Sequence, residues 1–108
     1  MRAAIFNGPG SILVGNRPDP SIETPTDAIV RVVYGCVCGS DLWYYRGQSP
    51  HAAGSIGHEF IGTIEELGPE VASLQKGDLV VAPFLWSDGT CALCRAGWPS
   101  QWRTRCRR

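Results

Sequence analysis

Apolar and polar residues alternate over short stretches of this chain, and glycine or proline breaks each stretch before it reaches helical length. Arg2 to Phe6 and Ser11 to Asn16 read as two short strands, with the turn signal Gly8-Pro9-Gly10 between them. Arg17-Pro18-Asp19-Pro20 and the residues up to Asp27 form a proline-rich connection that is extended rather than helical. Ala28 to Val37 is the clearest strand, because Val30, Val32 and Val33 make a β-branched run. Phe60 to Leu67 and Asp78 to Phe84 follow as two more strands, the second opened by Lys76-Gly77-Asp78 and closed by Pro83. Only Ser40 to Arg46 reads as helix, with Ser40 or Asp41 as its cap and Gly47 as its stop. Thirteen glycines scattered between short strands suit a barrel or sandwich with tight turns. The expected class is mainly β.

Composition narrows this picture. The 108 residues, 44% hydrophobic and 19% charged, hold one small soluble domain and exclude a disordered chain. No apolar run approaches the ~20 residues that span a bilayer. Met1 to Phe6, broken at once by Asn7-Gly8-Pro9-Gly10, is too short for a signal peptide, so a cytoplasmic location is expected. In that setting the five cysteines read as metal ligands or thiols rather than disulfides.

The balanced net charge conceals two unlike segments. Residues 1–94 carry five Lys or Arg against ten Asp or Glu, whereas residues 95–108 carry five Arg and no acid. From Trp98 to Arg108 there is no hydrophobic periodicity. Three readings fit this basic tail. It binds nucleic acid through phosphate contacts and tryptophan stacking, it is a solvated unstructured end, or it is read out of frame after about Gly97. The joint rise of arginine and tryptophan favours the last, and nucleic-acid binding has the least support. The expected division is a folded unit over 1–97 and an unstructured tail over 98–108.

Two clusters carry the chemistry. Gly35-Cys36-Val37-Cys38-Gly39-Ser40-Asp41 is followed, twenty residues after Cys38, by Gly57-His58-Glu59. Thiolate, imidazole and carboxylate are all zinc ligands, and a catalytic zinc takes about three of them with one position open. Asp41 is placed to accept from the second ring nitrogen of His58 and fix its tautomer. Ser40 offers a hydroxyl for proton transfer. By spacing alone, Cys38 and His58 are equally readable as packed core residues. Strand alternation puts Cys36 on the face of Cys38 without motif support, so Cys36 is expected to be buried and metal-free.

Gly35 to Leu42, Gly57 to Gly68 and Lys76 to Val80, in that order and spacing, resemble the signature of the zinc-containing medium-chain alcohol dehydrogenases over residues 1 to about 97. The resemblance implies a GroES-like β-barrel catalytic domain with short helical turns, incomplete at its C-terminal end. It implies Cys38 and His58 as catalytic-zinc ligands, Glu59 as an adjacent and sometimes coordinating carboxylate, and Ser40 as the proton-relay hydroxyl. Many relatives continue the relay with a histidine three residues after the serine; Trp43 stands there in this chain, so a relay through Ser40 ends differently, at water. A full-length parent would interconvert alcohols with aldehydes or ketones using NAD or NADP, as a homo-oligomer away from membranes. No Gly-x-Gly-x-x-Gly follows any strand in the chain, so the expectation is that these 108 residues do not turn over alone. A non-catalytic metal-binding or GroES-like interaction module is the alternative.

A third cluster, Cys91-Ala92-Leu93-Cys94, reads as a zinc half-site or a redox pair. The family's structural zinc has four cysteines, whose positions here are Asp88, Cys91, Cys94 and Trp102. Asp88 can ligate through oxygen, but Trp102 cannot ligate, and Cys106 lies four residues late. An incomplete structural zinc site is therefore expected at Cys91 and Cys94.

Overall fold

The computed structural model describes residues 1–84, 87, 89 and 91–99. They form six strands and two short helices: β1 (Arg2–Gly8), β2 (Ser11–Asn16), β3 (Ala28–Cys36), α1 (Asp41–Tyr45), β4 (Gly54–Ser55), β5 (Glu59–Leu67), β6 (Leu79–Val81) and α2 (Ala92–Arg95). The strands make two three-stranded antiparallel sheets, ordered β2-β1-β4 and β3-β5-β6. Among the described residues neither sheet closes into a barrel, and the class is mainly β as expected. No helix among them is long and apolar enough to cross a membrane.

The first sheet starts from a hairpin whose loop is Pro9 and Gly10. Proline fixes its own φ, and Gly10 takes a φ of +74° that a side chain would resist. The amide of Gly10 then donates to the Tyr45 carbonyl at 2.7 Å, which ties the hairpin tip to α1. β4, only two residues long, pairs Ser55 with Ile5 and Gly54 with Phe6. Two residues carry no alternation, so this strand leaves no periodic signal in the sequence.

The second sheet positions the chemistry. β3 and β5 run antiparallel from Ala28 opposite Leu67 to Cys36 opposite Glu59. Register shifts interrupt the ladder between Ile29 and Val30 and between Val32 and Tyr34. Beyond Val30 the strand shows no alternation of burial, since Arg31 through Cys36 are all exposed on both faces. Cys36 is exposed rather than buried, because it is the last residue of β3 at the free end of the ladder. β6 covers Leu79–Val81, shorter than the expected 78–84. The Ala82 amide still reaches the Phe60 carbonyl, but Pro83 has no donor to extend the pairing.

The core is thin. Phe6 and Ile64 are its buried hydrophobic residues among those described, while Val32, Val33 and Tyr34 of β3 lie on the surface. A cavity of about 860 Å³ is lined by Ala3 and Ala4 of the first sheet and Ile29, Val30, Val32 and Glu65 of the second. The radius of gyration is 15.6 Å, against about 13 Å for a compact domain of 100 residues.

Gly62 shows how closely β3 and β5 approach. A Cβ there would sit 2.5 Å from the Arg31 carbonyl oxygen and 2.6 Å from Val30 Cγ1, so backbone would have to move. The G62A chain is expected to lose about 1–3 kcal/mol of stability. Urea unfolding with a midpoint unchanged from wild type would show that the sheet absorbs the methyl group.

Candidate metal centre

The site is assembled from the turn that leaves β3 and from the loop that enters β5. After β3 ends at Cys36, the chain passes through Val37, Cys38 and Gly39 into α1, whose cap position is Ser40. The Ser40 side chain makes no capping hydrogen bond. The role falls to the next residue, since the Cys38 amide donates to Asp41 Oδ2 at 3.0 Å and the Asp41 amide donates to the Cys38 carbonyl at 3.1 Å. This reciprocal clamp fixes the Cys38 backbone from within its own turn. Gly47, with φ +71°, stops the helix one residue after its Arg46 cap.

Asp41 is only 7% exposed, the one buried charged residue among those described. A carboxylate taken that far from water needs partners for both oxygens. Oδ2 has the Cys38 amide; Oδ1 lies 3.3 Å from His58 Nδ1. His58 arrives on the connection between β4 and β5, where Gly57 adopts a φ of +94°. The ring of Phe84 packs edge-on against the imidazole, with centroids 5.2 Å apart. With Nδ1 turned toward Asp41, the imidazole presents Nε2 on its other side.

Nε2 is buried and has no hydrogen-bond partner, and the same is true of Ser40 Oγ. Buried polar atoms are nearly always satisfied, so two orphans two residues and one loop away from the same cysteine mark a place for something else. The ligand atoms of Cys38, His58 and Glu59 all lie within 4.8 Å of one another, and all three residues are half-buried. Two ligands each 2.0 to 2.3 Å from a shared zinc lie at most about 4.6 Å apart, so the three donors are gathered to nearly the spacing one ion requires. Thiol, imidazole and carboxylate are zinc donors, and the orphaned Nε2 supplies the acceptor lone pair a metal needs.

Of the residues singled out in the sequence, the fold thus brings together Cys38, Ser40, Asp41, His58 and Glu59. Cys36 faces Glu59 across the ladder but is exposed and outside the cluster. Trp43, at the position of the relay histidine, is exposed on α1. Phe84 is an addition that sequence reasoning misses; a lone aromatic beyond a strand end carries no signal before the fold brings it to His58. Cys91 and Cys94 lie apart from this cluster, with their sulfurs 3.3 Å from each other. Loss of solvent around Cys94 pushes its thiol above the usual range, and the hydrogen bond with Cys91 acts in the same direction. Asp88, Trp102 and Cys106, named with this pair, lie outside the described residues.

The sequence profile of the alcohol dehydrogenase GroES-like domain matches residues 24–105. The chain belongs to that family. A zinc-type alcohol dehydrogenase B from Aspergillus flavus is 43% identical over 102 residues, which is 94% of this chain and 24% of that protein. Among solved structures, the alcohol dehydrogenase TADH from Thermus sp. ATN1 superposes with a TM-score of 0.86 at 39% identity, covering 95% of this chain and 30% of that one. A protein described as a zinc-binding dehydrogenase from Sinorhizobium meliloti 1021, solved with NADP bound, gives 0.69 at 30% identity over 95% of this chain and 30% of that one. This GroES-like chain matches the N-terminal part of zinc-type alcohol dehydrogenases and spans about a quarter of the length of the curated relatives it matches. The family match runs to residue 105, past the Gly97 boundary read from composition. Trp98 is exposed while its amide donates to the Leu93 carbonyl at 2.9 Å, and residues 100–108 lie outside those described.

Because Asp41 holds both the Cys38 turn and the His58 ring, metal binding should depend on it. The D41N chain is expected to bind zinc about 10–100-fold more weakly in competition with a chromophoric chelator. Equal affinities would mean that Cys38 and His58 are oriented by other contacts.

Proposed function

We propose that Cys38, His58 and Glu59 hold the catalytic zinc of an NAD- or NADP-dependent alcohol dehydrogenase, and that this chain is the zinc-binding part of it. The observation that carries the reading is the buried, unpartnered Nε2 of His58, whose other ring nitrogen is engaged by Asp41. When bound, zinc would supply Lewis acidity toward the oxygen of an alcohol or of the corresponding aldehyde or ketone. The chain's own residues orient the donors and handle the proton. Asp41 keeps the Nδ1 proton in place, so His58 stays in the tautomer with a lone pair on Nε2. The half-burial of the three donors keeps bulk water from competing for them. Ser40 Oγ, buried and without a partner, is available to exchange a proton with the reacting hydroxyl. With tryptophan at position 43, the proton leaves Ser40 for solvent rather than for an imidazole.

Hydride transfer needs the nicotinamide carbon held about 3 to 3.5 Å from the reacting carbon. In the proposed enzyme that is the task of a separate dinucleotide-binding domain, and no reduced cofactor is expected when the 108-residue chain alone is mixed with NAD or NADP and simple alcohols. The cellular setting consistent with this reading is cytoplasmic. Cys91 and Cys94 offer two of the four donors of a second, structural zinc, and two thiols leave such a tetrahedron half filled.

A chimera tests the proposal. Residues 1–97 replace the matching segment of the full-length Thermus enzyme, and formation of NAD(P)H is followed with a range of alcohols. The expected result is zinc-dependent turnover, loss of the metal in C38S, and a fall in kcat of about 10²–10⁴-fold in S40A with zinc retained. A folded, zinc-loaded chimera without turnover would favour the non-catalytic metal-binding module instead.

A further inference from the structure

We propose that Cys91 and Cys94 form a reversible dithiol–disulfide couple that exchanges with low-molecular-weight disulfides. The two sulfurs lie 3.3 Å apart across one turn, and the Cys94 amide donates to Cys91 Sγ at 3.5 Å. Cys91 occupies the cap position of α2 in an extended conformation, with φ −68° and ψ 161°, which folds its side chain back over the turn toward Cys94. The backbone behind them is held independently of the sulfurs, since the Arg95 amide bonds the Cys91 carbonyl at 3.0 Å and the Gly97 amide bonds that of Cys94 at 3.1 Å. A disulfide has its sulfurs about 2.0 Å apart, so closing the bond brings the two sulfurs just over 1 Å nearer to each other. Both residues are half-buried, so neither sulfur is sealed from solvent.

The exchange balances. One cysteine, having given its proton to solvent, attacks a sulfur of the small disulfide and releases one thiolate. The second cysteine, also deprotonated, attacks the protein sulfur of that mixed disulfide and releases the other. The protein loses two hydrogens, the small disulfide becomes two thiols, and the two protons return to them. Because the second step is intramolecular, the pair closes under conditions too reducing to modify an isolated cysteine.

The full 108-residue chain, freed of metal with a chelator, is equilibrated without oxygen in buffers of rising oxidised-to-reduced glutathione ratio. It is then acid-quenched, alkylated and mapped by mass spectrometry. The expected result is an internal Cys91–Cys94 disulfide at a ratio at least about tenfold lower than that which places glutathione on the exposed Cys36. In C94S, Cys91 should carry glutathione, and only near the ratio that modifies Cys36. C36S and C38S should leave the couple unchanged, so the outcome stands apart from the fate of the zinc reading at Cys38. Bridges from Cys91 or Cys94 to Cys36, Cys38 or Cys106 would overturn the proposal. Continued alkylation of both at ratios that modify Cys36 would also overturn it.

Discussion

A buried carboxylate with two obligations organises this molecule. Asp41 has to satisfy both oxygens away from water, and it does so by gripping the Cys38 amide on one side and approaching His58 Nδ1 on the other. The first contact belongs to a local turn, three residues wide, while the second spans the loop between the two sheets. Remove the carboxylate, and the sulfur-bearing turn and the imidazole lose their common reference. The order of the donors around any bound ion therefore rests on a residue that is not itself in the donor set.

The β3–β5 ladder supplies the other constraint. Its final pair, Cys36 opposite Glu59, sets how far apart the departing turn and the arriving loop can be. Gly62 lets the two backbones close up where a methyl group would meet the Arg31 carbonyl. The hydrophobic contribution to this arrangement is small, because Val32, Val33 and Tyr34 leave their apolar surface uncovered. Backbone pairing and the polar clamp thus hold the geometry more than core packing does, and the cavity between the sheets accords with that.

Much of this is legible in the residues. β-branched runs bounded by glycine and proline mark β1, β2, β3 and β5 to within two residues, since local steric preference and turn chemistry act over the same few positions. The cluster of Cys38, His58 and Glu59, with Asp41 behind it, is readable from donor type and spacing together with a family resemblance. Alternation misplaces Cys36 because both faces of β3 are exposed from Arg31 to Cys36, so neither phase of the pattern meets a core. β4 escapes because its two residues are extended by their partner β1 rather than by their own preference. Phe84 escapes for a related reason: its contact with His58 joins residues far apart in sequence. The pairing of Cys91 with Cys94 is visible as a spacing, but only the extended cap conformation shows the sulfurs turned toward each other.

The position of the site at the frayed end of a ladder couples two equilibria. Strand ends open transiently at low free-energy cost, and here the end of β3 leads straight to Cys38 while β5 begins at Glu59. Any ion that bridges these segments binds the zipped form and not the unzipped one, so part of its binding free energy goes into keeping the last rungs shut. The amides around Cys36 and Glu59 would then exchange with solvent at rates set by metal occupancy. The ladder end would then work as a latch that a bound ion fastens.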